Sequence, residues 1–107
     1  MEQSELQIPE LGILHLKTDP FNRVFEIEKE DGTPFILEGF NPVWEIYHQG
    51  ELILSMEGSD FVFNGNLVTV DKPSTFFKDL SKLSDYTHRF YDRSTQTTFF
   101  KGPFKLS

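Results

Sequence analysis

The chain has 107 residues, no cysteine, and 17 acidic against 10 basic side chains, for a formal net charge of -7. That length holds one domain with one hydrophobic core and leaves no room for a deep cofactor pocket of the usual size beside it. The charge repels a polyphosphate backbone and so argues against nucleic acid as a partner, while the lack of cysteine removes disulfides, thiol catalysis and cysteine zinc sites.

Hydrophobic residues at 37% and aromatic residues at 15%, including 12 Phe, supply a packed interior and exclude wholesale disorder. The opening "MEQSELQIPELG" is acidic where a signal peptide needs a basic start and an apolar run, so synthesis in the cytoplasm without an export signal is expected. No stretch approaches the ~20 apolar residues of a membrane span, and no membrane partner is expected. Residues 1–10 read as an N-terminal arm and residues 11–107 as one β-sandwich domain. Leu6, Ile8 and Leu11, separated by polar residues and Pro9, give the arm enough apolar surface to add onto a neighbour's sheet edge but too little to repay its own ordering.

From Leu11 onward, short apolar runs alternate with turn residues, the pattern of an antiparallel β domain. "ILHLK" is the first strand. After Asp19-Pro20, "FNRVFEIEKEDG" puts Phe21, Arg23, Phe25 and Ile27 on one side and Val24, Glu26 and Glu28 on the other. "PFILEG" and "PVWEIYHQG" follow as strands, the second alternating Trp44, Ile46 and His48 against Val43, Glu45 and Tyr47. Gln49-Gly50 then turns the chain into "ELILSMEG", whose Leu52, Leu54 and Met56 make one face of a hairpin partner. In "DFVFNGNLVTVD", Asn64-Gly65 predicts a type I′ turn. "KPSTFFKDLSKLSD" predicts one or two helical turns after Pro73, with Phe76, Phe77, Leu80 and Leu83 on the packed side.

"DYTHRFYDR" alternates Tyr86, His88 and Phe90 against Thr87, Arg89 and Tyr91, and "QTTFFKGPFKLS" is its closing partner strand. Phe99 and Phe100 cannot both face inward in a regular strand, and Gly102-Pro103 predicts a bulge or kink. One phenylalanine is then surplus. Phe100 and Phe104, with Leu6, Ile8 and Leu11, are therefore the candidate assembly interface. The fold class expected is all-β, a single immunoglobulin-like antiparallel β-sandwich with one short helical turn.

The turn "DGTP" at Asp31 to Pro34, the leucine-bearing turn and tyrosine strand from Leu80 to Tyr91, and the closing aromatic-glycine-aromatic strand from Phe99 to Leu106 carry a resemblance. Over residues 11–107 the chain resembles the N-terminal domain of bacteriophage baseplate upper proteins and related tail and head-fibre modules. The resemblance implies a non-enzymatic virion structural module of β-sandwich fold, assembling with other phage structural proteins or with copies of itself. Because that family's domain usually continues into a fibre, a small attachment or head-decoration protein is an equal expectation.

No catalytic, metal or cofactor set stands out. His15, His48 and His88 fall on three strands without metal-ligand spacing. Glu26, Glu28 and Glu30 read as the solvated side of a half-buried strand. Asp79, Asp85 and His88 have near them only Ser81, Ser84 and Thr87, none in a nucleophile turn. Trp44 is either core between sheets or, with Phe40 and Tyr47, an exposed aromatic contact able to stack on a sugar or anchor a protein. Tyr86 and Tyr91 have opposite parity, which puts one of them outside. Two alternatives to assembly follow: a carbohydrate-binding sandwich using Phe40, Trp44 and Tyr47, and an acidic phage inhibitor that occupies a basic site on a host protein.

Overall fold

A computed structural model describes residues 10–29 and 31–107. Eight strands are assigned: β1 (Ile13–His15), β2 (Phe21–Glu26), β3 (Pro42–His48), β4 (Glu51–Glu57), β5 (Phe61–Asn64), β6 (Leu67–Lys72), β7 (Tyr86–Asp92) and β8 (Thr98–Leu106). They form a five-stranded sheet in the order β1-β8-β7-β3-β4 and a three-stranded sheet in the order β2-β6-β5. All neighbours are antiparallel except β1 and β8, which run parallel. Successive side chains point to opposite faces, and the inward, mostly apolar faces of the two sheets close on each other; β3 and β7 bury residues on both sides, Val43 and Tyr91 among them.

This is an immunoglobulin-like sandwich. The strand order is that of the variable type, in which the sheet holding the last two strands gains a strand beyond the third. Tyr86 makes the corner of that fold: its buried hydroxyl accepts the Ser81 N–H at 2.7 Å, five residues upstream. Two residues on, where such domains often carry one half of an inter-sheet disulfide, stands His88. Aromatic packing joins the sheets here. Phe21 and Phe25 of β2 each lie 5.5 Å from Trp44 of β3, and Phe25 lies 4.9 Å from Phe100 of β8.

Several expectations change for identifiable reasons. Phe99 and Phe100 both point inward, because the β7–β8 register shifts between Phe90, opposite Phe100, and Tyr91, opposite Thr98; Phe99 is the extra residue of a bulge. No phenylalanine of this strand is surplus. Gly102 and Pro103 keep regular register opposite His88 and Thr87 instead of kinking the ladder. "PFILEG" is a loop rather than a strand: apart from a bridge from Pro34 to Glu28, its backbone bonds run to Ile27 and to the β5–β6 turn, Phe35 N–H to Ile27 O at 3.0 Å and Leu37 N–H to Gly65 O at 3.2 Å, and Leu37 O accepts the Phe40 N–H in a local turn at 3.1 Å.

Turn chemistry is also reassigned. Gln49 and Gly50 have φ of 53° and 84°, the double positive of a type I′ hairpin, whereas the β5–β6 turn has positive φ only at Gly65, its first central residue, as type II′ requires. The expected helix is a 3₁₀ turn, Ser74–Phe77, and a second one spans Gly58–Asp60. Phe77 and Leu80 are buried there, but Leu83 is 93% exposed because the chain leaves helical geometry before reaching it.

Candidate interaction surface

The five-stranded sheet has a second, outward face, and its residues can be read row by row across the strands. One row runs Lys101, Arg89, Glu45, Ser55. The next runs Pro103, Thr87, Tyr47, Leu52. A third runs Thr98, Tyr91, Val43, Glu57, in which Tyr91 and Val43 are covered by their neighbours and buried. Lys101 and Arg89 lie on the β8–β7 side, with Glu10 at the same edge, and Glu45 and Glu57 lie on the β3–β4 side, where Glu57 accepts from Arg93 at 2.9 Å.

Leu52 reaches this face through a bulge. The β3–β4 register shifts so that Ile46 opposes Leu54 while Tyr47 opposes Leu52, which makes Ile53 the extra residue. Leu54 and Met56 therefore turn inward, and Leu52 turns outward with 49% of its surface open, contrary to the simple alternation that grouped all three.

The central side chains hold one another in place. The Tyr47 hydroxyl donates to Glu45 Oε1. Burial, reinforced by Glu45, pushes the Tyr47 hydroxyl far above its usual range. Burial raises Tyr91 as well, again with a contribution from Glu45. Both phenols thus stay neutral donors at any physiological pH. The Arg89 guanidinium lies 3.9 Å over the Tyr91 ring, while its Nε donates to Thr98 Oγ1 at 2.9 Å and Nη2 donates to Gln96 O at 3.1 Å. A stacked, doubly bonded arginine is already ordered, so contact with a partner costs it little rotamer entropy. Beside this cluster a groove of about 450 Å³ is lined by Tyr47, Thr87, Arg89, Lys101, Gly102 and Pro103.

The residues singled out from sequence divide. Phe100 and Phe104 are 2% and 1% exposed and belong to the core, so neither offers an interface. Trp44 is 0% exposed and is not a surface aromatic. Phe40 is half-buried at the rim of the core, 5.3 Å from Phe35 and 5.8 Å from Phe99. Leu11 is half-buried against the core, and Leu6 and Ile8 lie outside the described residues. Of the aromatic trio only Tyr47 sits on the outer face. Leu52, Arg89, Lys101 and Pro103 were missed; strand parity pointed to Arg89 beside Tyr91, but placing Leu52 required the bulge.

The other constellations do not assemble. Asp85 pairs with Lys105 at 3.1 Å at the surface, while His88 is buried between Trp44 and Leu11, so no acid–base set forms with it. Glu26 and Glu28 are exposed, and Glu30 lies outside the described residues. Among the described residues no group of three or more histidine or carboxylate side chains converges.

No family model matches the chain, and no curated protein matches it. Among solved structures it is similar to the NK cell receptor Nkp44, a triggering partner in natural cytotoxicity, at a TM-score of 0.42 and 10% identity over 92% of this chain and 99% of that one. It is also similar to extracellular domains 3–5 of Drosophila OTK, at a TM-score of 0.37 and 11% identity over 98% of this chain and 37% of that one. Likenesses this distant carry no functional argument.

Proposed function

We propose that this chain is a non-enzymatic assembly module that binds a protein partner through the outer face of its five-stranded sheet, and that a second copy of itself is the partner best fitted to that face. The carrying observation is the polarity of the face: Lys101 and Arg89 on one half, Glu45 and Glu57 on the other, with Tyr47 and Leu52 alongside. A two-fold rotation brings the cationic half of one copy over the anionic half of the next, the self-complementarity a closed dimer needs. The virion setting, as a tail, baseplate or head-surface building block, belongs to this proposal and rests on the turn and strand pattern alone.

The same geometry weakens the alternatives. A sugar site needs an open aromatic plane, and Trp44 is enclosed while Phe40 packs on Phe35 and Phe99. An inhibitor that mimics nucleic acid needs a uniformly acidic face, whereas this one carries both signs.

Light scattering across a concentration series tests the reading. A dimer is expected that loosens as salt is raised, because its exposed charges are screened. A chain that stays monomeric at several hundred micromolar and low salt, or a dimer unaffected by charge reversal at both Arg89 and Lys101, would refute it.

A further inference from the structure

His88 ties the start of the described chain to the interior. Residues 10–15 run along β8: the Leu11 N–H donates to Lys101 O at 2.8 Å, Glu10 bridges Lys101, and Ile13 pairs with Phe104. At Leu11 the backbone carbonyl points into the sheet and meets His88 Nε2 at 2.7 Å. Gly102 makes that approach possible. A Cβ there would stand 2.4 Å from the Leu11 carbonyl oxygen, inside any tolerable contact.

On its other side the ring accepts a hydrogen bond from Trp44 Nε1 at 2.9 Å, through Nδ1. Indole N–H only donates, so Nδ1 is the bare nitrogen and Nε2–H is the donor to Leu11. The imidazole is neutral and both nitrogens are used. A second proton can go only onto Nδ1, where it would confront the Trp44 N–H with no acceptor between them.

We propose that the Trp44–His88–Leu11 chain is an acid-operated latch: protonation of His88 breaks its bond with Trp44, and release of residues 10–12 from β8 then lets water reach the charged ring while the two sheets stay packed. The segment gives way before the core because it is held at a sheet edge by few backbone bonds, whereas Trp44 is enclosed by the packed interior; His88 lines the groove beside the segment, so once the Leu11 carbonyl leaves Nε2 the ring meets water there. β1 keeps its own anchors, among them the Ser107 N–H to His15 O bond at 2.8 Å. Release uncovers the backbone of Lys101 and Gly102 and widens the groove beside Arg89, a place where an extended segment can add as a strand.

The surroundings of the ring favour this response. Its packed neighbours are Trp44 from β3 and Phe100 and Phe104 from β8, with ring centroids 5.6, 5.7 and 6.3 Å away, and none of these titrates. The chargeable groups on the adjoining elements are Glu10 on the segment, Tyr47 on β3, Arg89 on β7 and Lys101 on β8. None of them offsets the burial that holds the imidazole below its ordinary 6.5; only the Leu11 carbonyl pulls the other way. With a lowered value in the latched state, the latch is fully present above 6.5 and weakens as pH falls toward the latched-state value, because the released state takes up the proton first.

Amide exchange on the full ¹⁵N-labelled chain from pH 7 to 4.5, corrected for intrinsic rates, tests the latch independently of the dimer reading. Protection of the Leu11 amide should fall about tenfold per pH unit below 6.5 until the latched ring itself titrates, while that of Phe90 falls far less. His88→Gln can accept from Trp44 and donate to Leu11 without titrating, so its Leu11 protection should be flat. Leu11 protection that is flat in the native chain, that falls in step with Phe90, or that keeps its pH dependence in H88Q would overturn the proposal. Should H88Q not fold, the comparison of Leu11 with Phe90 in the native chain decides alone.

Discussion

The two faces of the five-stranded sheet are built by the same strands and differ in nearly everything else. On β3 and β7, Trp44, Ile46, Tyr86, His88 and Phe90 point inward and are buried, while Glu45, Tyr47, Thr87 and Arg89 point outward. The inner face is held by ring contacts, such as Phe90 on Phe100 at 5.1 Å, and its polar atoms are satisfied within the interior. The outer face is held by surface hydrogen bonds and stacking. A period of two along one stretch of chain thus separates residues that stabilise the domain from residues available to a partner.

The largest test of that separation is Phe100→Ala. Truncating a buried phenylalanine costs about 3–5 kcal/mol, measured as a lowered urea midpoint, and Phe100 touches Phe25, Trp44, His88 and Phe90. A small stability loss accompanied by weakened association would instead return Phe100 to an interface role.

Asp92 marks the boundary between the faces and should show an intermediate effect. Its Oδ1 accepts the Asn41 N–H at 2.7 Å, and its Oδ2 accepts the Thr95 N–H at 2.9 Å and the Thr95 hydroxyl at 2.6 Å, pinning two loops at one end of the sandwich. Removing the carboxylate in Asp92→Ala leaves these donors without their acceptor, at a cost of about 1–3 kcal/mol. Burial alone would raise the carboxyl, but the bonds from Thr95 and Asn41 outweigh it and hold it below 3.8. Its contribution is therefore present above 3.8 and lost as pH falls through the lowered folded-state value, so the acid limb of a stability–pH profile should be shallower in D92A. That loss sets in below 3.8, whereas the loss tied to His88 sets in below 6.5.

Leu52→Glu should have the smallest effect on folding. The side chain is half open on the outer face, and such substitutions change stability by about 0.5 kcal/mol or less. Lying on the carboxylate half of that face, the new charge meets the cationic half of the two-fold-related copy and should tighten dimerisation at low salt by roughly two- to fivefold, which is what an exposed ion pair is worth. Unchanged association with unchanged stability would move the contact surface elsewhere.

Alternation, turn residues and the count of aromatics were enough to determine, from sequence alone, a β-sandwich, most of its strands, the Gln49-Gly50 hairpin and the pairing of the last two strands. These are local signals: side-chain parity and the φ preferences of glycine and its neighbours act within a few residues. The tertiary structure decided everything that depends on which backbone lies opposite which. Bulges at Ile53 and Phe99 turned Leu52 outward and brought both Phe99 and Phe100 inward. Loop bonds to Ile27 and Gly65 kept "PFILEG" out of either sheet. The same holds for His88, whose role exists only because Leu11, 77 residues away in sequence, passes over Gly102 within reach of its ring. A one-residue shift in register reverses the face of every side chain beyond it, and the energy that selects the register lies in packing across the sandwich, between residues far apart in sequence.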